Sequence, residues 1–365
     1  MISHQKQKNY MRTFYEVGEG LFTVERVAGF NFVYDCGGQR FDENNGGKGI
    51  RTIVKETFSE GEEIEAVFIS HYDNDHINGI YTLLTHCKVK RLILPMMSDL
   101  QRCWYIVTQI YNSDLLAFVL SPEDYIKHLR IETKINYVYY PNEEKYHPNN
   151  IPETFEDLNN ELLNTIPSGC KLRVKSGVDW VFIPYNIRIL TKTEEDCFLD
   201  ELRKIYPTLG SDKNKIKNLW EANNLATGKS NKIKTALKNA ILRATGKNLT
   251  DINATSLTVY SGPLDSTIAT QYRCACLYLG DYNAKDNFKN LMTAYSVVWN
   301  NVGIVQIPHH GSDHNFDKGL VNQGMLCVVS CPIPCYKVKP CNVIKDIIAN
   351  GGIELVTGLK GDITL

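Results

Sequence analysis

The chain has 365 residues, 43% of them hydrophobic and 22% charged, with 40 basic residues against 41 acidic ones and a net charge of −1. That balance excludes a disordered chain, a collagen-like repeat and a coiled-coil rod, and it leaves no global field to attract nucleic acid or a membrane. No apolar run approaches the roughly 20 residues of a membrane helix. The N-terminal MISHQKQKNYMRTF has no apolar stretch behind its basic residues, so neither a membrane span nor a secretory signal is expected. Eleven cysteines, an odd number without an export signal, suit reduced thiols and a cytoplasmic location.

Short apolar runs rich in β-branched and aromatic residues predict strands at both ends of the chain. The first half offers Leu21–Val27, Asn31–Asp35, Ala66–Ser70 and Arg91–Pro95. The second offers Ser256–Tyr260, Ala275–Gly280, Gly303–Pro308, Met325–Ser330 and Ile353–Thr357, and helical patterns cover Asn78–His86 and Asn342–Asn350. The middle differs. Leu100–Leu120, Thr154–Thr165 and Glu194–Tyr206 predict helices, with a short hairpin over Lys171–Pro184. Residues 201–250 carry eleven Lys or Arg against three acidic residues. One α+β domain over 1–365 is expected, with a mainly helical, basic insertion at about 99–250.

Four strand ends carry His or Asp. Ser70-His71-Tyr72-Asp73-Asn74-Asp75-His76-Ile77-Asn78-Gly79 packs two His and two Asp into six residues directly after an apolar strand. A strand that stops there aims several ligands at one point, and imidazole with carboxylate suits Zn, Mn or Fe. Asn31 to Gly38 ends in Asp35 and two glycines, Leu277 to Asp281 ends in one carboxylate, and Ile304 to Ser312 ends in His309-His310-Gly311. A strand-end Asp alone is often just a turn former.

In that order the motifs resemble the metallo-β-lactamase fold, an αββα sandwich, and within it the hydrolase domain of the competence protein ComEC and its stand-alone soluble relatives. The matching stretches are Val17-Gly18-Glu19-Gly20, His71 to Gly79, Ser256-Leu257-Thr258-Val259, Gly280-Asp281 and Pro308-His309-His310-Gly311-Ser312, and the resemblance spans about 12–98 and 251–365. It implies two divalent ions, Zn or Mn. His71 and Asp73 would serve one, Asp75 and His76 with His309 or His310 the other, and Asp281 would bridge them. Asp35 would orient a ligand His by a hydrogen bond. Asp75, His310 and His314 are the candidates for a direct part in catalysis, with Asp313 and Lys339 as further contacts for a leaving group or phosphate.

Three positions depart from the family pattern. Its isolated His before Gly-Asp is absent, Asn253 being the nearest polar residue; Lys339-Pro340 stands for a late His-Pro; and Ile80 replaces the second Gly of the paired motif. Fewer nitrogen ligands at the first ion make Mn as fitting as Zn. Two ions about 3.5–4 Å apart generate a bridging hydroxide that serves phosphodiester, ester, lactone or amide hydrolysis. The resemblance favours phosphodiesters, so a nuclease or a hydrolase of a small nucleotide is expected, and the basic middle offers a path for a polyanion. The alternatives are a hydrolase of a small ester or lactone, and a non-catalytic binding protein.

Other motifs are weaker. Ala226-Thr227-Gly228-Lys229-Ser230 lacks the earlier glycine of a P-loop, which Asn223 occupies. Cys327, Cys331, Cys335 and Cys341 lack the close pair of a zinc knuckle, Cys274 and Cys276 alternate as core thiols, and His86, His128 and His147 have no partner pattern.

Overall fold

A computed structural model describes residues 10–43, 47–109, 112–141, 151–160, 165–187, 190–205, 230–246, 256–265, 267, 273–332 and 341–365. Two large sheets dominate it. The first has eight strands in the spatial order Ile363–Thr364, Tyr10–Phe14, Phe22–Val27, Phe30–Cys36, Ala66–Phe68, Arg91–Pro95, Lys134–Tyr139 and Thr165–Pro167. The second has seven, Leu172–Arg173, Val181–Tyr185, Thr258–Gly262, Ala275–Tyr278, Val302–Gln306, Leu326–Val329 and Ile353–Val356. Each sheet is antiparallel on one side, from Ile363–Thr364 to Phe30–Cys36 in the first and from Leu172–Arg173 to Ala275–Tyr278 in the second, and parallel from there to its other edge.

Alternating side chains sort these strands into layers. Phe32, Tyr34, Phe68 and Ile93 point inward from the first sheet and meet Phe182, Val259, Tyr278 and Ile304 of the second. Phe32 stands 4.4 Å from Phe182, and Tyr34 stacks on Tyr278 at 4.7 Å between ring centroids. The opposite face of the first sheet, with Val33, Val67, Leu92 and Leu94, packs on helices such as Ile50–Thr57, Ile80–His86 and Asp99–Thr108. The opposite face of the second, with Leu277, Val305 and Val329, packs on Ala284–Ala294 and Cys341–Ala349. The result is four layers, helix–sheet–sheet–helix. Strands buried on both faces read as continuous apolar runs, which is why these were legible.

One buried polar group ties the sheets together. Arg12 and Glu25 of the first sheet pair at 2.5 Å, and Tyr278 of the second donates to Glu25 Oε1 at 2.6 Å. Ser261 donates to Glu25 Oε2 at 2.6 Å, and Arg12 reaches the Cys274 carbonyl.

The middle of the chain is woven into the core. Lys134–Tyr139 and Thr165–Pro167 complete the first sheet, and the expected hairpin, Leu172–Arg173 with Val181–Tyr185, opens the second. Helices predominate among the described residues of 99–250, as expected, but four sheet strands alternate with them. Leu100–Leu120 divides into Asp99–Thr108, under a Ser98/Gln101 capping box, and Ser113–Leu120, capped by Asn112. Within Thr154–Thr165 the described residues, 154–160 and 165, form no α-helix. They make a single turn at Asp157–Asn159, which turns Phe155 and Leu158 into the space between the sheets. Lys192–Ile205 and Ser230–Thr245 are helical, and most of the basic stretch, with the Ala226–Ser230 motif, lies outside the described residues. Among the described residues no helix is long and apolar enough to cross a membrane.

Candidate metal centre

The parallel strands of the two sheets place their C-terminal ends at one rim of the sandwich. Asp35 ends one strand of the first sheet, and Ser70 and His71 follow its parallel neighbour. From the second sheet come Asp281, His309 and His310, each just past a parallel strand. The Leu257 N–H donates to the Ser70 carbonyl at 2.7 Å, closing the seam between the sheets. Two glycines permit the approach. A Cβ on Gly37 would lie 2.2 Å from the Asp75 carbonyl oxygen, and one on Gly280, at φ +53°, would lie 2.7 Å from Ser70.

Asp281 sits at the centre of the cluster. Its Oδ1 is 3.2 Å from His76 Nε2 and 3.9 Å from His310 Nε2; its Oδ2 is 3.7 Å from both His71 Nε2 and His309 Nε2. Asp75 Oδ2 lies 3.3 Å from His310 Nε2, and Asp73 Oδ2 lies 3.6 Å from His71 Nε2. Two groups bring their donor atoms within 4.8 Å of one another: His71, His76 and Asp281, and Asp75, His76 and His310.

Every imidazole is turned the same way by a bond at its other nitrogen. His76 Nδ1 donates to Asp35 Oδ2 at 2.8 Å, and His71 Nδ1 donates to Ser70 Oγ at 2.8 Å. Ser70 can accept there because its own hydroxyl donates to Asp35 Oδ2, at 2.6 Å. His310 Nδ1 donates to the Ser330 carbonyl at 3.0 Å, and His309 Nδ1 to Asn315 Oδ1 at 2.8 Å. A proton fixed at Nδ1 leaves the lone pair at Nε2. Asp35, His309 and His310 hold this arrangement with positive φ of 55°, 50° and 54°, a strained region for residues other than glycine.

The consequence is an uncompensated centre. The Nε2 atoms of His71, His76 and His310 and the Oδ1 of Asp281 are buried and make no hydrogen bond. An orphaned buried polar atom costs about 1–3 kcal/mol, so four in one spot call for a ligand. The donor set, imidazole nitrogen and carboxylate oxygen, fits a divalent transition metal. Charge on these groups responds strongly. Burial opposes protonation of His76, yet Asp281 and Asp35 raise its pKa well above the ordinary value. Burial likewise opposes protonation of His310, and Asp281 and Asp75 raise its pKa. Burial alone would raise the Asp281 and Asp75 carboxyls, but the surrounding imidazoles hold both well below the usual range.

Of the seven residues expected as metal ligands, His71, Asp75, His76, Asp281 and His310 make up the two donor groups, Asp73 and His309 flank them through His71 and Asp281, and Asp35 takes the orienting position. His310 is the one of the pair that joins Asp75 and His76, while His309 turns to the other oxygen of Asp281. His314 does not join them: it is exposed and belongs to neither donor group. Asp313 accepts from Asn342, and Asn253 and Lys339 lie outside the described residues. Several contributors carried no sequence signal. Gln306 bonds the Leu279 and Gly280 N–H groups and the Gly280 and Ile307 carbonyls, knotting together the two turns that bear Asp281 and His309. Ser256 Oγ accepts from the Asp281 N–H, and Asn78 clamps Gly38 through both its amide atoms. The Cys327–Cys341 group gives no metal site among the described residues; Cys327 and Cys331 are buried thiols, and the side chains of Cys335 and Cys341 lie outside the described residues.

The layers and this rim define a two-sheet α/β protein with a candidate metal centre. No protein-family model and no curated protein sequence matches the chain. Among solved structures it is similar to the metallo-beta-lactamase fold protein YhfI from Bacillus subtilis, with a TM-score of 0.42 and 10% identity over 98% of this chain and 99% of that one.

Proposed function

We propose that the chain is a metal-dependent hydrolase of the metallo-β-lactamase fold that holds two divalent ions, Zn or Mn, and acts on phosphodiesters in the cytoplasm. The observation that carries this reading is the set of buried Nε2 and Oδ1 atoms that face one another without hydrogen bonds, each imidazole locked from behind. His76, Asp75 and His310 would hold one ion, His71 and Asp73 the other, and Asp281 would present one oxygen to each. Bound divalent ions supply electrophilic stabilisation of a phosphoryl or carbonyl oxygen and a nucleophile at neutral pH.

The chain's own groups do the rest. Asp35 and Ser70 keep His71 and His76 in the tautomer with a free Nε2. The ring of Tyr105 packs beside His71, with the buried Tyr72 ring against it, and makes that flank apolar. Asp75, with its side chain a third exposed, and His309, slightly more so, mark where the cluster opens to an incoming substrate. Phosphodiesters are favoured by the Pro308 to Ser312 run, with its likeness to ComEC-type hydrolases, and by the excess of Lys and Arg over 201–250. Eight buried free thiols among the nine cysteines with described side chains support a reducing compartment.

Elemental analysis of the purified chain, followed by a Mn²⁺- and Zn²⁺-supplemented screen against DNA, RNA, bis(p-nitrophenyl) phosphate, carbon esters and lactones, tests the reading. The expected result is chelator-sensitive cleavage of phosphodiesters. A chain that binds no divalent ion, or cleaves only carbon esters or lactones, overturns it.

A further inference from the structure

His309 and His310 are adjacent in sequence but serve different sides of one carboxylate. The side defined by Asp281 Oδ1 already has His76, His310 and Asp75. The side defined by Oδ2 has His71, with Asp73 beside it, and its remaining imidazole is His309, at 3.7 Å. Among the described residues, His71 and His309 are the imidazoles paired with Asp281 Oδ2.

Asn315 makes this position of His309 more than an accident of a surface ring. Asn315 Nδ2 donates to the Asp281 backbone carbonyl at 2.9 Å, so its amide nitrogen is committed and its oxygen must face the imidazole. His309 Nδ1 therefore carries the proton, 2.8 Å from Asn315 Oδ1, and Nε2 keeps a lone pair towards Asp281. The Asn315 backbone is fixed in turn, its N–H on the Ser312 carbonyl and its carbonyl on the Ala284 N–H. One buried amide thus couples the ring of one donor to the main chain of another.

We propose that His309 is a ligand of the divalent cation on the Oδ2 side of Asp281, with His71 and Asp73, and that Asn315 is the positioning residue that holds it there. The assignment rests on the two-ion reading above and supplies a second nitrogen, beside that of His71, on the Oδ2 side.

Mn²⁺ binding to the chelator-stripped full chain, followed by titration and by electron paramagnetic resonance, tests it. The wild-type chain should take two ions with a spin-coupled spectrum. His309→Ala and Asn315→Ala should keep one tight ion, lose the coupled signal and weaken the second ion by about ten- to a hundredfold. Asn315→Asp still accepts from Nδ1 and should recover part of that loss. His310→Ala should instead weaken the ion on the Oδ1 side. Thermal melting confirms which variants are folded, and His309→Gln stands in if an alanine variant is not. Two wild-type-like ions in folded His309 and Asn315 variants would overturn this assignment alone. A wild-type chain that takes fewer than two ions overturns the two-ion reading and this assignment with it.

Discussion

Asp35 Oδ2 lies 2.8 Å from His76 Nδ1, so a residue at the end of one strand sets the direction of a ring 41 positions further along the chain. The same carboxylate accepts from the Ser70 N–H and hydroxyl, both at 2.6 Å, and through that hydroxyl it also orients His71. Asp35→Asn separates these roles. Asparagine tolerates the left-handed backbone that Asp35 adopts, at φ 55°, but its amide nitrogen cannot accept. At least one of the three bonds is lost. Affinity for Mn²⁺ or Zn²⁺ should fall by about 10–100-fold with the fold retained, as read by competition against a chromophoric chelator. Unchanged affinity would show that Asp35 only shapes the turn.

Asp281→Asn tests the centre itself. The substitution keeps shape and backbone bonds but removes the charge that both sides share. Hydrolysis of bis(p-nitrophenyl) phosphate should drop by roughly a hundredfold or more. Near-normal turnover by a folded Asp281→Asn chain would mean that Asp281 bridges nothing.

The cluster also sets a pH dependence. Raised pKa values at His76 and His310 contribute stability to the metal-free protein that is full below the unfolded histidine value of about 6.5 and is lost as pH climbs through the folded values. Depressed values at Asp75 and Asp281 contribute stability above about 4, lost as pH falls. Chelator-treated protein should therefore melt highest between roughly pH 4 and 6.5, as far as this cluster decides it. A metal ion must displace the imidazole protons, so its stabilising increment should grow with pH. Melting curves across pH, with chelator and with Mn²⁺, check the sign. A metal increment that shrinks as pH rises would contradict the assignment.

Much of this was legible in the sequence because each ligand directly follows a strand buried on both faces. An apolar run that ends in His or Asp, as at Ile69 to His71 or Ile307 to His310, announces its own geometry. The supporting residues do not. Gln306, Ser256 and Asn315 act on main-chain groups 25 to 34 positions away, and only the folded chain brings them there. Lys134–Tyr139 was missed in a stretch judged by its helical neighbours, although Ile135, Tyr137 and Val138 are good strand formers. Thr154–Thr165 was misjudged because burial of Phe155 and Leu158 between the sheets outweighs local helical pattern.

The Arg12–Glu25 pair makes a stability prediction independent of metal. Both side chains are almost fully buried, and Glu25 also receives Tyr278 and Ser261. Arg12→Met strands a buried carboxylate and should cost about 3–5 kcal/mol, read by denaturant unfolding. Adding Glu25→Gln removes the stranded charge and should recover part of that loss. A double variant no more stable than the single would place the cost in packing instead.

The choice between a polymeric and a small substrate turns on the basic stretch. Residues 201–250 carry an excess of eight positive charges in a chain of net charge −1, so the remainder is net acidic. A polyanion approaching a rim built from Asp73, Asp75 and Asp281 meets repulsion unless cations elsewhere offset it. Lys234 and Lys238 lie on the helix Ser230–Thr245, whose buried Leu237, Ala240 and Ile241 share a core with Tyr72 and Tyr105 beside His71. Lys229 precedes that helix and Lys232 lies in its first turn. Neutralising all four to Gln should weaken binding of single-stranded DNA or RNA and flatten its salt dependence, because fewer counterions are released. Turnover of bis(p-nitrophenyl) phosphate should hardly change, since a small diester needs the metal centre alone. If both activities respond equally, or neither does, the lysines are a solvated face and the substrate is a small phosphodiester.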